Sequence, residues 1–200
     1  MKKVKICGLR RKLDIEYVNQ AKPDYVGFII NYPKSHRSIT LEELQGLTAK
    51  IIPDIKKVGV FVNQPRDFVA ELLNNKLIDI AQLHGDEDNS YIEKLREETG
   101  KEIWQAIVVR KTEDLQKALN SKADLILLDA GKGSGQVFDW SLLNKLSRKF
   151  ALAGGLREEN LDDALQTEAI LLDVSGGVET DGSKDLVKIQ KFIDIVRKCR

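Results

Sequence analysis

Residues 3–10 read KVKICGLR. The first five, KVKIC, carry the apolar and β-branched character of a strand, and a glycine stops the run immediately after the cysteine. The turn that follows, CGLR, lacks the G-x-G-x-x-G with which an open, doubly wound sheet holds a dinucleotide after its first strand. The fold is therefore decided by how often the strand signal recurs. It returns as YVGFII (25–30), KVGVFV (57–62), IDIAQLH (78–84), EIWQAIVV (102–109), DLILLD (124–129), KFALAG (149–154) and AILLDV (169–174). These runs are almost continuously apolar, which marks parallel strands covered on both faces. Helical patterns lie between them: Leu13, Val18 and Ala21; Phe68, Val69, Leu72 and Leu73; Ile92, Leu95 and Arg96; Leu115, Ala118 and Leu119; and Leu186, Ile189, Ile193 and Val196. Thr40 with Glu43 forms a capping box, and Pro65 suits a first helical turn. Eight strand–helix units in a 200-residue chain leave about 25 residues each, enough for lean units with short loops. The expectation is a closed (β/α)8 barrel of the TIM type, one domain spanning residues 1–200, with no linker or low-complexity segment.

The composition excludes several partners. Lys and Arg total 32 against 31 Asp and Glu, interspersed without a basic patch, so no nucleic-acid partner is expected. No apolar stretch approaches membrane-spanning length, and the run behind the basic first residues is too short for a signal peptide. Two cysteines, Cys7 and Cys199, are too few for a disulfide framework or a metal cluster. That economy fits a reducing, cytoplasmic setting. The oligomeric state stays open between monomer and homodimer.

The barrel gives position 7 a meaning. In such barrels chemistry sits at the C-terminal ends of the strands. Cys7 ends the first strand and Asp129 ends the sixth. Alone, the cysteine reads as packing and the aspartate as a loop cap. Together at one mouth they are a group that can lose a proton and a group that can deliver one. The seventh and eighth strands run into ALAGGL and DVSGGVE. Gly154, Gly155, Ser175, Gly176 and Gly177 thus fall where these barrels grip a phosphate with backbone N–H groups. Arg37, after the second strand, reaches toward the same mouth, where an arginine can pair bidentately with a carboxylate. His84 and Asp173 end the fourth and eighth strands, placed either to orient a substrate or to bond a loop.

In order, KICGL, GFI…S-x-R, VGVFVN, QLHG, LLD…GSG…FDW, LAGGL and DVSGGVE resemble the phosphoribosylanthranilate isomerase family. The resemblance runs from residue 3 to about residue 185. It implies a (β/α)8 barrel with no cofactor and no metal, acting on a small phosphosugar. The implied reaction is an Amadori rearrangement of N-(5-phosphoribosyl)anthranilate to 1-(2-carboxyphenylamino)-1-deoxyribulose 5-phosphate, in tryptophan biosynthesis. It also implies Cys7 as general base, Asp129 as general acid and Arg37 as partner of the anthranilate carboxylate. The chain departs from the family pattern at Arg10, at His36 within Ser35-His36-Arg37, in the 131–136 loop and at Gly176. None of these removes a catalytic group. The chemistry asks for a Cys7 environment that favours thiolate and for an Asp129 raised enough to hold a proton. Other phosphosugar barrel enzymes need lysine at strand ends, where this chain has none, and a non-catalytic phosphate-binding barrel needs neither Cys7 nor Asp129.

Overall fold

The computed structural model describes residues 1–109, 114–129, 140, 143 and 146–198. The expected strands form a closed parallel barrel. Its staves are β1 (Lys3–Cys7), β2 (Tyr25–Ile30), β4 (Lys56–Phe61), β5 (Ile80–Leu83), β6 (Ile103–Val108), β7 (Leu125–Asp129), β8 (Phe150–Ala153) and β9 (Leu171–Val174). A two-residue strand, β3 (Ser38–Ile39), adds to the edge of β2, and β10 (Glu179–Thr180) pairs with β11 (Ser183–Lys184) beyond the last stave. Pairing of β1 with both β2 and β9 closes the ring. The helices are α1 (Lys12–Ala21), α2 (Leu41–Thr48), α3 (Arg66–Asn74), α4 (Asn89–Thr99), α5 (Asp114–Asn120), α6 (Leu161–Gln166) and α7 (Leu186–Lys198). The 131–136 loop, where the chain departs from the family pattern, and Cys199 lie outside the described residues.

Each stave alternates between two cores. Outward residues such as Val4, Ile6, Phe28, Phe61 and Leu172 pack under the helices. Inward residues fill the barrel: Val58, Ile80, Trp104, Leu125, Leu127 and Leu171 form a separate cluster. Tyr25 meets Trp104 edge-on at 5.0 Å between ring centroids. Fully burying one such aliphatic side chain contributes about 1.5–3 kcal/mol. Continuous apolar runs follow directly from this double burial.

The bottom of the barrel is stitched by aspartates. Asp24, Asp79 and Asp124 each precede a stave and accept the backbone N–H of a neighbouring one, at Val4 (2.9 Å), Lys57 (2.8 Å) and Ile103 (2.8 Å). The Thr40–Glu43 box starts α2 as expected, and Pro65 stands immediately before α3. Two expected helix-face residues are instead exposed: Leu13 and Leu119 are both 42 % accessible. The buried face of α1 is Ile15 and Val18, completed by Asp14, which accepts from the N–H groups of Arg10 and Arg11 at the helix start.

Candidate active site

Parallel staves deliver all their C-terminal ends to one rim, and a cavity of about 550 Å³ opens there. Every site residue selected from the sequence lines it: Cys7, Arg37, His84, Asp129, Asp173, Gly154–Gly155 and Ser175–Gly177. Arg10 does not; it is exposed and donates to the Gly182 carbonyl at 3.2 Å. Ile29, Val60, Ala106 and Leu156 give the cavity an apolar wall. Among the described residues, no cluster of His, Cys, Asp and Glu is arranged to hold a metal ion.

The floor contains groups that the sequence reading passed over. Lys5 is fully buried inside the barrel, two residues below Cys7 on the same inward face of β1. Its Nζ donates to Asp173 Oδ2 and to Gln82 Oε1, both at 2.9 Å. Burial works against the Lys5 ammonium, yet Asp173 and the Cys7 sulfur more than offset it, so the ammonium is favoured. Asp173 is pushed up by burial, against the pull of Lys5. The expectation for Cys7 needs correction. Burial pushes its thiol above the ordinary value, and the Lys5 ammonium opposes that push without reversing it.

Across the mouth, His84 Nε2 stands 3.7 Å from Asp129 Oδ2, beyond hydrogen-bond distance. Burial lowers His84, with Asp129 acting in the opposite direction, so a neutral imidazole faces the carboxyl group. His84 is set by two interlocked loops. Glu87, next to its turn, accepts from Asn63 N at 2.6 Å and from Gly85 N at 2.8 Å.

Arg37 enters the cavity already engaged. Its Nε and Nη2 donate to the two oxygens of Glu179, at 2.7 and 2.6 Å. The bidentate carboxylate expected of a ligand is thus an internal one, bound along the Nε–Nη2 edge of the guanidinium. Lys184 Nζ also donates to Glu179, at 2.6 Å, and to the Ser175 carbonyl at 3.0 Å. Ser175 Oγ in turn donates to the Cys7 carbonyl at 2.9 Å. A continuous chain of bonds therefore runs from Arg37 through the eighth-stave loop to the backbone of Cys7. The two glycine loops touch directly. A side chain on Gly177 would collide with the Leu156 carbonyl, so only glycine permits this approach.

Burial opposes the Glu179 charge, but hydrogen bonds from Arg37 and Lys184 prevail and hold its carboxyl at about 2, below its ordinary 4.5. A folded value below the unfolded one means the carboxylate stabilises the fold above pH 4.5 and ceases to as pH falls through about 2. Glu179→Gln should therefore cost on the order of 3 kcal/mol at neutral pH. It should also flatten the acid decline of stability across that window. Urea unfolding at a series of pH values reads both effects. An acid decline identical to that of the unsubstituted protein would refute the linkage.

A family model described as N-(5'phosphoribosyl)anthranilate (PRA) isomerase matches residues 4–195. The N-(5'-phosphoribosyl)anthranilate isomerase of Acetivibrio thermocellus is 43 % identical, over 98 % of this chain and 96 % of that protein. The crystal structure of phosphoribosyl anthranilate isomerase from Thermotoga maritima superposes with a TM-score of 0.90 at 34 % identity, covering 99 % of this chain and 100 % of that one. A further isomerase crystal structure, in complex with reduced 1-(o-carboxyphenylamino)-1-deoxyribulose 5-phosphate, gives a TM-score of 0.87 at 33 % identity, covering 99 % and 100 % of the two chains.

Proposed function

Since the chain belongs to the phosphoribosylanthranilate isomerase family, we propose that its mouth residues divide the aldose–ketose isomerisation of tryptophan biosynthesis among them, with Cys7 as base and Asp129 as acid. The reaction converts N-(5-phosphoribosyl)anthranilate to 1-(2-carboxyphenylamino)-1-deoxyribulose 5-phosphate. The observation that carries the assignment is the single cavity in which the whole sequence-selected set converges.

Asp129 gives a proton to the furanose ring oxygen. The C1–O bond breaks, and the anilino nitrogen supplies the electrons that make a cationic imine. That cation acidifies the hydrogen on C2. Cys7, as thiolate, takes this proton and leaves an enolamine, which gains a proton at C1 and loses one from its hydroxyl to become the ketone. Positive charge developing beside Cys7 favours the thiolate against the burial that opposes it. The loops at 154–155 and 175–177 hold the phosphate. Their grip supplies binding energy remote from the reacting carbons. The Nη1–Nη2 edge of Arg37 takes the anthranilate carboxylate, and the apolar wall takes its ring. The neutral His84 faces Asp129 and orients the substrate. Growth of a tryptophan auxotroph lacking only the isomerase, on introduction of this chain, tests the activity. No growth from a folded, expressed protein rejects it.

The two anion grips should separate. Arg37→Met should weaken binding of a reduced, carboxylate-bearing product analogue by about 1.5–3 kcal/mol, the range for a charged hydrogen bond. It should change competition by inorganic phosphate far less. Gly155→Val should do the reverse. Gly155 has φ +68°, and an added Cβ there meets open space. The damage would thus come from backbone strain that turns the N–H groups away from the anion. Calorimetric titration of both variants with both ligands decides it. If Arg37→Met weakens phosphate as much as analogue, the arginine supports the phosphate loop through Glu179 and Lys184 instead.

A further inference from the structure

Lys5 is a cation in a place where cations are costly. It lies wholly inside the barrel, and removing a charge from water costs several kcal/mol unless the surroundings compensate. Compensation is incomplete: Asp173 Oδ1 is buried without a hydrogen-bond partner among the described residues. A buried ion pair of this kind is often replaceable by apolar residues with little loss of stability. Packing alone therefore does not account for Lys5.

The geometry supplies another role. An ammonium has three N–H donors. Gln82 and Asp173 take two of them. One donor is left, and Lys5 Nζ lies against Gly27, the residue opposite Cys7 on β2. A Cβ on Gly27 would stand 3.1 Å from Lys5 Nζ and 2.7 Å from Cys7 Sγ, so cation and sulfur close on the same space, kept open because Gly27 has no side chain. We propose that Lys5 is a positioning residue for the base: held by Asp173 and Gln82, it directs its remaining N–H at Cys7 Sγ and stabilises the thiolate that takes the C2 proton. This rests on the reading of Cys7 as base. The other charged groups around the sulfur are Asp173 from β9, Lys184 from β11 and Arg37 from the loop before β3, with His84 and Asp129 across the mouth. Burial and Asp173 push the thiol up, while Lys5 and Lys184 pull it down.

Opposite shifts test this. In a Cys199→Ser background, the ultraviolet absorbance of the thiolate is titrated in the intact protein, alongside the pH profile of kcat/KM. Lys5→Met should raise the Cys7 midpoint by ~1–3 pH units, the usual effect of losing an adjacent opposite charge. Asp173→Asn should lower it, because the carboxylate opposes the thiolate. A purely structural role would not move the two in opposite directions. Should Lys5→Met fail to fold, Lys5→Met/Asp173→Asn compared with Asp173→Asn reads the same upward shift without stranding a carboxylate. An unchanged midpoint on removal of Lys5 overturns the proposal and leaves Cys7 free to be the base. A midpoint that moves while the kcat/KM profile stays still overturns Cys7 as base, and this proposal with it.

Discussion

Cys7→Ser should leave the barrel folded and lower kcat by about 10²–10⁴-fold, the range for losing a positioned general base. Serine replaces sulfur with oxygen and keeps the side chain's shape, so the packing of the mouth survives. A hydroxyl, however, does not ionise near neutral pH, and no base remains above the C2 hydrogen. The upward push of burial on Cys7 adds a second signature. In the unsubstituted protein, kcat/KM should keep rising with pH through and beyond neutrality, as the thiol ionises. In Cys7→Ser that rise should disappear along with the rate. The measurement is steady-state turnover with the labile substrate generated in situ. Near-normal turnover by a folded Cys7→Ser protein would return the cysteine to a packing role.

Asp129→Asn should cost on the order of 10²-fold or more in kcat, with folding intact by circular dichroism. The amide fills the same volume but has no acidic proton for the ring oxygen. The ring-opening step would then depend on water entering the cavity. The loss should fall on kcat more than on KM, because the proton is passed only in the transition state. An unchanged rate would make Asp129 a structural group at the end of β7. His84 beside it would then hold a loop and no reacting system.

The staves were legible because a parallel barrel buries both faces of every strand, and a run such as LILLD carries that double burial in its composition. The residues that line the cavity were legible because the ends of those runs are fixed once the fold is. Lys5 was not. Between Val4 and Ile6 it reads as the solvent side of an alternating strand, and only closure of the barrel turns that side inward. Gln82 in IDIAQLH was hidden for the same reason. Glu179 and Lys184 left no local signal either, since Arg37 and Glu179 lie 142 residues apart and meet only across the loops after the second and last staves. The motifs are explained afterwards by what their polar members touch. The lysine of KICG and the aspartate of DVSGGVE are one ion pair. The glutamine of QLHG is its third member, and the glutamate of DVSGGVE aims Arg37. Leu13 and Leu119 misled because helical spacing locates a face without saying how far the apolar stripe extends around it.

The Lys5–Asp173 pair joins residues 168 positions apart, across the seam where the first stave meets the last. A ribosome releases residue 5 long before residue 173, so a nascent chain carries Lys5 and Cys7 before the carboxylate that Lys5 pairs with. Contacts of such long sequence separation pay the largest loop-closure cost and slow the folding that depends on them. The final stave and the segment directly after it carry Asp173, the Ser175–Gly177 loop and Glu179. A chain ending before the last stave would hold Cys7 and Asp129 but lack the Ser175–Gly177 loop and Asp173, the partner of Lys5. Closure at this seam therefore brings the first and last staves' polar groups to one floor only when the whole ring is present.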